Sequence, residues 1–571
     1  MTTTDSWEVV AAAHRAKQQE AIPAKWTLSA EQLSELKNAG APTEGRLVEL
    51  DVARKSGLLS ENELNITEKF TATALLEKLA AQELSSEEVV EAFCKRAGLA
   101  QQLTSCLTEI FFEEGLERAR YLDKQLKETG KPVGPLHGLP ISLKDSYTVA
   151  GKHATVGYIE FLRRPVPTAN APLVKMLLDA GAVLYCKTNL PQTMMTADSE
   201  NNIFGRTLNP HNTKLTAGGS TGGEGALLAF RGSVLGVGSD IAGSIRIPSV
   251  CCGIYGFKPT ADRIPFSGQA EYPFPKTTLP GVPPVAGPMA NSVEDLATFM
   301  KVVLGQRPWR YDSTAIDIPW RAAESIKDGA LVVGVMAEDP DYPLHPPVKR
   351  ALANAAAALE KAGHKIVHLP ADPKRSAGFG ARIGFQYFSM MGPPPDVISK
   401  EVGEPLVASV ARLVHPFTNA PLPVSAELDI PRQFSDLNEV RDSYVESWRE
   451  VWVENDLDVV LAPGAATTAV PHDTYGNPVY TLMWNVLNDI TDQPCSTLLV
   501  LSPSVIRPSI AIPTSKRLRL FSMPITTGHT FALLYYDSRC LPILKLVVQR
   551  ALYLGYEMLN SRFYPTCYVI V

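Results

Sequence analysis

The chain has 571 residues, 45% of them hydrophobic and 20% charged, with a formal net charge of −6. That composition excludes a disordered or fibrous chain, and so weak an acidic balance supplies no field for gathering nucleic acid or an anionic membrane. No run approaches the ~18 consecutive apolar residues of a spanning helix, and the opening MTTTDSWEVVAAAHRAKQQEAIP has no apolar secretory core.

The first ~65 residues read as amphipathic helices. Ser29 and Gln32 have capping-box spacing and open a helix that stops near Gly40. A second helical run covers Thr71 to Gln82, and a further box, Ser85 with Glu88, starts a helix whose Val89, Val90, Phe93 and Ala97 share one face. From residue 130 the texture changes: VGPLHGLPISLKDSYTV is punctuated by Gly and Pro and then β-like. A helix stops at Gly181 and leads into an apolar strand, Ala182 to Cys186. Later, 331–336, a helix from Val348 to Ala362 and 365–369 make a β-α-β pattern, and 458–463 is another buried strand. Alternating strands and helices predict an α/β layered fold.

The last segment differs from the rest. Residues 493–571 carry eight basic side chains and only two acidic ones, Asp537 and Glu557, and so a charge of +6. The basic residues do not interleave with the stacking aromatics of a nucleic-acid module. The eight cysteines form no CxxC pair, and they are expected to be reduced and mostly buried, in a cytoplasmic protein.

The chemistry concentrates in Ala217-Gly218-Gly219-Ser220-Thr221-Gly222-Gly223-Glu224-Gly225 and in Gly236-Val237-Gly238-Ser239-Asp240-Ile241-Ala242-Gly243-Ser244-Ile245-Arg246. Two glycine-rich loops with a serine in each can bring hydroxyls together and aim several N–H donors at one point. GxxxxGK[ST], GxGxxG and GxSxG are all unmatched, so a P-loop, a dinucleotide fold and a nucleophile elbow lose support. Taken alone, such a stretch is more often a plain turn.

At these residues the chain resembles the amidase signature family, and within it the fungal acetamidase-type amidases. The resemblance is carried by GLPISLKDSYTVAG (138–151), FGRTLNPHN (204–212) and the run GGSTGGEGALLAFRGSVLGVGSDIAGSIRIPSVCCGIYGFKPT (218–260). It covers about residues 60–490. It implies a mixed twisted β-sheet covered by helices; with the readings above, the chain divides into an N-terminal helical arm (1–66), a single large domain (67–492) and an atypical basic segment (493–571). It also implies a Ser–cis-Ser–Lys triad with Ser244 as nucleophile, Ser220 as bridging serine and Lys144 as base, and a cis peptide at Gly219-Ser220. The oxyanion would be held by the N–H groups of Ile241, Ala242, Gly243 and Ser244. Met194 and Thr196 would contact substrate beside Ser220. The expected partner is a small-molecule amide, with no metal, cofactor, nucleic acid or membrane, and a homodimer is compatible. An amidotransferase-type subunit needing a partner, and an inactive remnant, are the alternatives.

The chemistry requires a neutral lysine. A serine hydroxyl needs a base to take its proton, neither motif holds a histidine, and an ammonium cannot serve. Burial disfavours the ammonium form, so Lys144 is expected to be buried with no carboxylate directly on it. Asp240 and Arg246 bracket the nucleophile loop and read as a structural clamp rather than as reactants; Lys258 reads as structural too. Two departures from the family stand out. Thr221 replaces the second serine of the usual Gly-Gly-Ser-Ser run, and the family's closing strand is not found after about Asn488. A frameshift or a retained intron would account for the second, and sequencing the transcript across this region checks it.

Overall fold

A computed structural model of the chain describes residues 5–38, 45–49, 51–270, 281–320, 330–390, 400, 403–412, 421–487, 496–501, 531–536 and 568–570. Its centre is one mixed sheet. The strands in chain order are β1 (Leu107–Ile110), β2 (Pro140–Lys144), β3 (Val183–Thr188), β4 (Glu200–Asn201), β5 (Gly205–Arg206), β6 (Leu235–Asp240), β7 (Tyr255–Lys258) and β8 (Val285–Ala290). They continue with β9 (Val332–Val335), β10 (Lys365–His368), β11 (Val459–Ala462), β12 (Ser496–Leu501), β13 (Phe531–Tyr536) and β14 (Tyr568–Ile570). The sheet runs β1-β3-β2-β6-β8-β7-β12-β13-β11-β9-β10, with β14 against β11 and β12; β4 and β5 form a separate hairpin. Strands β2, β3 and β6 are parallel neighbours, as are β9, β10 and β11, while β6 and β8 pair antiparallel.

Strands β2, β3 and β6 are buried at every position, which fits parallel strands covered on both faces. The capping boxes fold as their spacing predicts. Ser85 Oγ accepts from the Glu88 amide at 3.1 Å while Glu88 accepts from the Ser85 amide at 3.0 Å, and the helix Ser86–Thr104 follows. The Ser29–Gln32 box is likewise reciprocal, at 3.2 and 2.9 Å; the expected stop at Gly40 lies outside the described residues. The helices Ala72–Ala80 and Pro346–Lys361 lie within two residues of the spans the sequence suggests. Strand β3 runs on from Cys186 to Thr188, because Lys187 and Thr188 find buried partners.

One apolar core joins the N-terminal helices to the sheet. Ile22, Trp26, Leu64 and Ile66 pack in the same cluster as Leu143, Val237 and Val460. Cys94, Cys106, Cys186, Cys251 and Cys252 are buried free thiols; Cys495, Cys540 and Cys567 lie outside the described residues. Of the basic C-terminal segment, three strand backbones are described: β12 pairs β7, and β13 and β14 pair β11 and β12. Among the described residues, no helix is long and apolar enough to cross a membrane.

Candidate active site

Lys144 is the last residue of β2 and Asp240 the last of β6, two parallel neighbours near the middle of this half of the sheet. Ligand sites in parallel sheets gather at such carboxyl ends, where the loops leave the layer. The Lys144 side chain has no exposure. Its Nζ lies 2.7 Å from Ser220 Oγ, 2.9 Å from Ser239 Oγ and 3.5 Å from the Ser239 carbonyl oxygen. All three are neutral oxygens. Burial pushes the Lys144 pKa down to about 7, and the charges of Asp240 and Asp145 oppose it without prevailing. Asp145 follows directly in the chain, yet its carboxylate is turned elsewhere. It accepts from Thr108 Oγ1 at 2.9 Å and from the Thr155 amide at 2.7 Å, with Lys187 Nζ 3.6 Å away.

Ser220 is 2% exposed, and the peptide joining it to Gly219 is cis. Gly219 permits a close approach: a β-carbon there would stand 2.3 Å from the Thr196 carbonyl oxygen. Thr221, the departure from the double serine, keeps its hydroxyl in use by donating to the Ser239 carbonyl at 3.3 Å. The Thr221 amide donates to the Ser244 carbonyl at 3.2 Å. The loop bearing Ser220 is thereby bonded to the loop bearing Ser244.

Asp240 holds that second loop as a ring. Its carboxylate accepts from the amides of Gly243 at 2.9 Å and Ile245 at 3.0 Å, and from Arg246 Nε at 3.0 Å and Nη2 at 2.7 Å. Burial pushes the Asp240 carboxyl up, but the Arg246 guanidinium outweighs it and holds the pKa far below the usual range. Arg246 Nη1 donates to the Thr481 carbonyl at 2.7 Å and Nη2 to Asn485 Oδ1, while Thr481 Oγ1 donates to the Ala242 carbonyl at 2.6 Å. The helix Val479–Val486 therefore clamps the turn from outside. Gly243 takes φ +127°, and a β-carbon on it would lie 2.4 Å from Thr481 Oγ1.

Ser244 is 8% exposed at this turn. Among the described residues, the amides of Ile241, Ala242 and Ser244 have no hydrogen-bond acceptor, as an oxyanion site requires. Gly243 departs from the expectation. Its amide is engaged by Asp240, because the carboxylate sits inside the turn. Lys258, expected to be structural, donates to the Pro259 carbonyl at 3.0 Å; burial, then Arg246, push its pKa down to about 7.

The segment with Met194 and Thr196 borders Ser220 on another side. Thr196 is 8% exposed, and its hydroxyl donates to the Asp198 carbonyl at 3.1 Å. Met194 packs on Val156, Tyr158 and Phe161, whose two rings stack. Thr193 and Met194 take φ +78° and +59°. Two successive non-glycine residues in this region cost roughly 1–3 kcal/mol each and persist only where neighbours over-determine them. Sequence reading missed Ser239, Thr481 and Asn485. Only Ser239 had a signal available, as the strand residue before Asp240; the others come from segments remote in the chain. Among the described residues, no group of His, Cys, Asp or Glu side chains could hold a metal ion.

The family model described as Amidase matches residues 88–501. An "Amidase" of Gibberella moniliformis (strain M3125 / FGSC 7600) is 42% identical over 497 residues, covering 85% of this chain and 88% of the relative. An "Acetamidase" of Emericella nidulans (strain FGSC A4 / ATCC 38163 / CBS 112.46 / NRRL 194 / M139) is 40% identical over 503 residues, covering 85% of each. A solved structure, "Fatty acid amide hydrolase", superposes with a TM-score of 0.77 at 33% identity, covering 88% of this chain and 84% of that one.

Proposed function

The chain belongs to the amidase signature family and is a hydrolase acting on amides; on that premise we propose that it cleaves a small carboxylic amide through Ser244, Ser220 and Lys144 by way of an acyl-enzyme. The observation that carries this reading is the environment of Lys144. A fully buried amine facing hydroxyl and carbonyl oxygens, with its pKa near 7, has a lone pair available at neutral pH.

In this mechanism the Lys144 lone pair takes the Ser220 proton, and Ser220 takes the proton of Ser244. Ser244 Oγ bonds to the amide carbon, and the carbonyl electron pair moves onto oxygen. The amides of Ile241, Ala242 and Ser244 receive that charge, with Gly243 held by Asp240 to keep the turn in shape. The tetrahedral carbon then collapses, the C–N bond breaks, and the nitrogen leaves with the proton returned through Ser220. Water then gives a proton through Ser220 to Lys144, and its oxygen bonds to the acyl carbon. The ester C–O bond breaks, Ser244 Oγ regains its proton through Ser220, and the carboxylic acid departs and ionises. Met194 and Thr196 border the acyl side; the support is the Thr196 backbone lying against Gly219.

The test is a screen of the purified chain against short aliphatic, aromatic and long-chain amides, with fluorophosphonate labelling of the active serine. Turnover without any partner, with label on Ser244 and both lost in Ser244→Ala, supports the reading. Residual turnover above a few per cent in Ser244→Ala overturns it.

A further inference from the structure

Glu404 lies far from the triad in the chain and is 3% exposed. One of its oxygens accepts from Gln192 Nε2 at 3.0 Å and from Asn202 Nδ2 at 3.0 Å; the other accepts from the Ile159 amide at 2.9 Å. A single carboxylate thus joins three separate stretches of chain. The next residue repeats two of the links, since the Pro405 carbonyl accepts from Gln192 Nε2 at 3.2 Å and from Asn202 Nδ2 at 2.7 Å. Gln192 completes the joint by accepting from the Val407 amide at 3.0 Å. The buried Gln192 amide group spends both its ends on residues 404–407.

What Gln192 precedes gives this joint its meaning. Thr193 and Met194 stand at positive φ immediately after it, and the loop ends at Thr196, whose carbonyl abuts Gly219 beside the bridging serine. Ile159, held by the same carboxylate, sits between Tyr158 and Phe161, which form the apolar shelf under Met194. Glu404 therefore fixes both the loop and the shelf on which the loop rests. We infer that Glu404 is a positioning residue that, through the side chain of Gln192 and the amide of Ile159, sets where the Thr193–Thr196 loop stands against Ser220, and so how large an acyl group the enzyme accepts. This rests on the amide-hydrolase reading of the same site.

The experiment compares the full-length wild type with Glu404→Gln, Glu404→Ala and Gln192→Ala. The kcat and KM values for acetamide, hexanamide and benzamide are measured, with enzyme concentration set by fluorophosphonate titration of Ser244. A glutamine at 404 keeps one acceptor oxygen and loses the other, so its effect falls between wild type and alanine. The expected result is a change of roughly fivefold or more in the hexanamide-to-acetamide ratio of kcat/KM in Glu404→Ala, mostly in KM, and a smaller change in Glu404→Gln. Gln192→Ala reproduces the change. An equal fall for all three amides, or an unchanged ratio, overturns the inference, because titrated enzyme removes any effect of lost folding. If Glu404→Ala yields no titratable enzyme, the Gln192→Ala ratio decides by the same criterion. A wild type that neither labels nor hydrolyses any amide refutes the hydrolase mechanism itself and removes this inference with it, an outcome distinct from active enzyme with an unmoved ratio.

Discussion

Asp240 and Arg246 form a two-point ion pair with no exposure on either side chain, Nε at 3.0 Å and Nη2 at 2.7 Å. The pair closes a turn of seven residues around Ser244, and both partners carry further hydrogen bonds that satisfy the buried charges. Arg246→Met leaves Asp240 ionised and uncompensated. The expected loss is about 3–5 kcal/mol of folding stability, read by urea unfolding. Asp240→Asn added to Arg246→Met recovers part of it. A loss below about 1 kcal/mol in the single variant would place the pair outside the set of groups that hold the turn.

The pH profile follows from Lys144. Its folded pKa is lowered from 10.5 to about 7, so the amine is mostly charged below that point and mostly neutral above it. The expected kcat/KM rises with pH through about 7 and levels off above. Lys144→Ala loses activity by roughly 10²-fold or more and loses the limb as well. A limb that persists in Lys144→Ala assigns the titration to another group.

Ser239 Oγ is a partner of Lys144, 2.9 Å from Nζ. An acceptor there favours the ammonium form. Ser239→Ala is therefore expected to move the limb to lower pH and to reduce the plateau by about tenfold, since a hydrogen bond that orients the amine is lost. Matched pH–rate profiles of the two proteins check both effects. A limb displaced to higher pH contradicts the orientation assigned to this hydroxyl.

The legibility of the site in the sequence divides along physical lines. Residues that shape backbone announce themselves: the glycines around Ser220 and Ser244, and the capping pairs Ser85–Glu88 and Ser29–Gln32, have local spacing with one main consequence. The reading of Asp240 and Arg246 as a clamp also drew on local spacing, since six positions bring a carboxylate back to its own turn. Groups recruited from afar left no local trace. Thr481 and Asn485 reach the Ser244 turn, and Glu404 reaches Gln192, only because the folded chain brings them there. The occupation of the Gly243 amide was illegible for a related reason, because a backbone N–H has no signature in residue type.

Glu224, in the glycine-rich motif, is buried behind the site and accepts from Ser142 Oγ and, at 2.8 Å, from Thr188 Oγ1. Burial pushes its pKa up from 4.5 to about 7, against the two hydroxyls. Between those values the folded protein holds a proton that the unfolded chain has released, so stability falls as pH rises from about 4.5 to about 7 and is flat beyond. Glu224→Gln removes this component. The difference in unfolding free energy between variant and wild type should grow by up to ~3 kcal/mol across that window. A constant difference from pH 4.5 to 8 would show that Glu224 is ionised throughout.

The turn bearing Ser244 is pinned by a helix that begins at Val479, some two hundred residues further on. During synthesis the ribosome delivers Lys144, Ser220 and Ser244 long before it delivers Thr481 and Asn485. A nascent chain halted near residue 470 carries those three side chains and an unfastened turn. On the proposed mechanism, hydrolysis is expected only from chains translated past those late residues, and assaying ribosome-stalled chains against acetamide checks it.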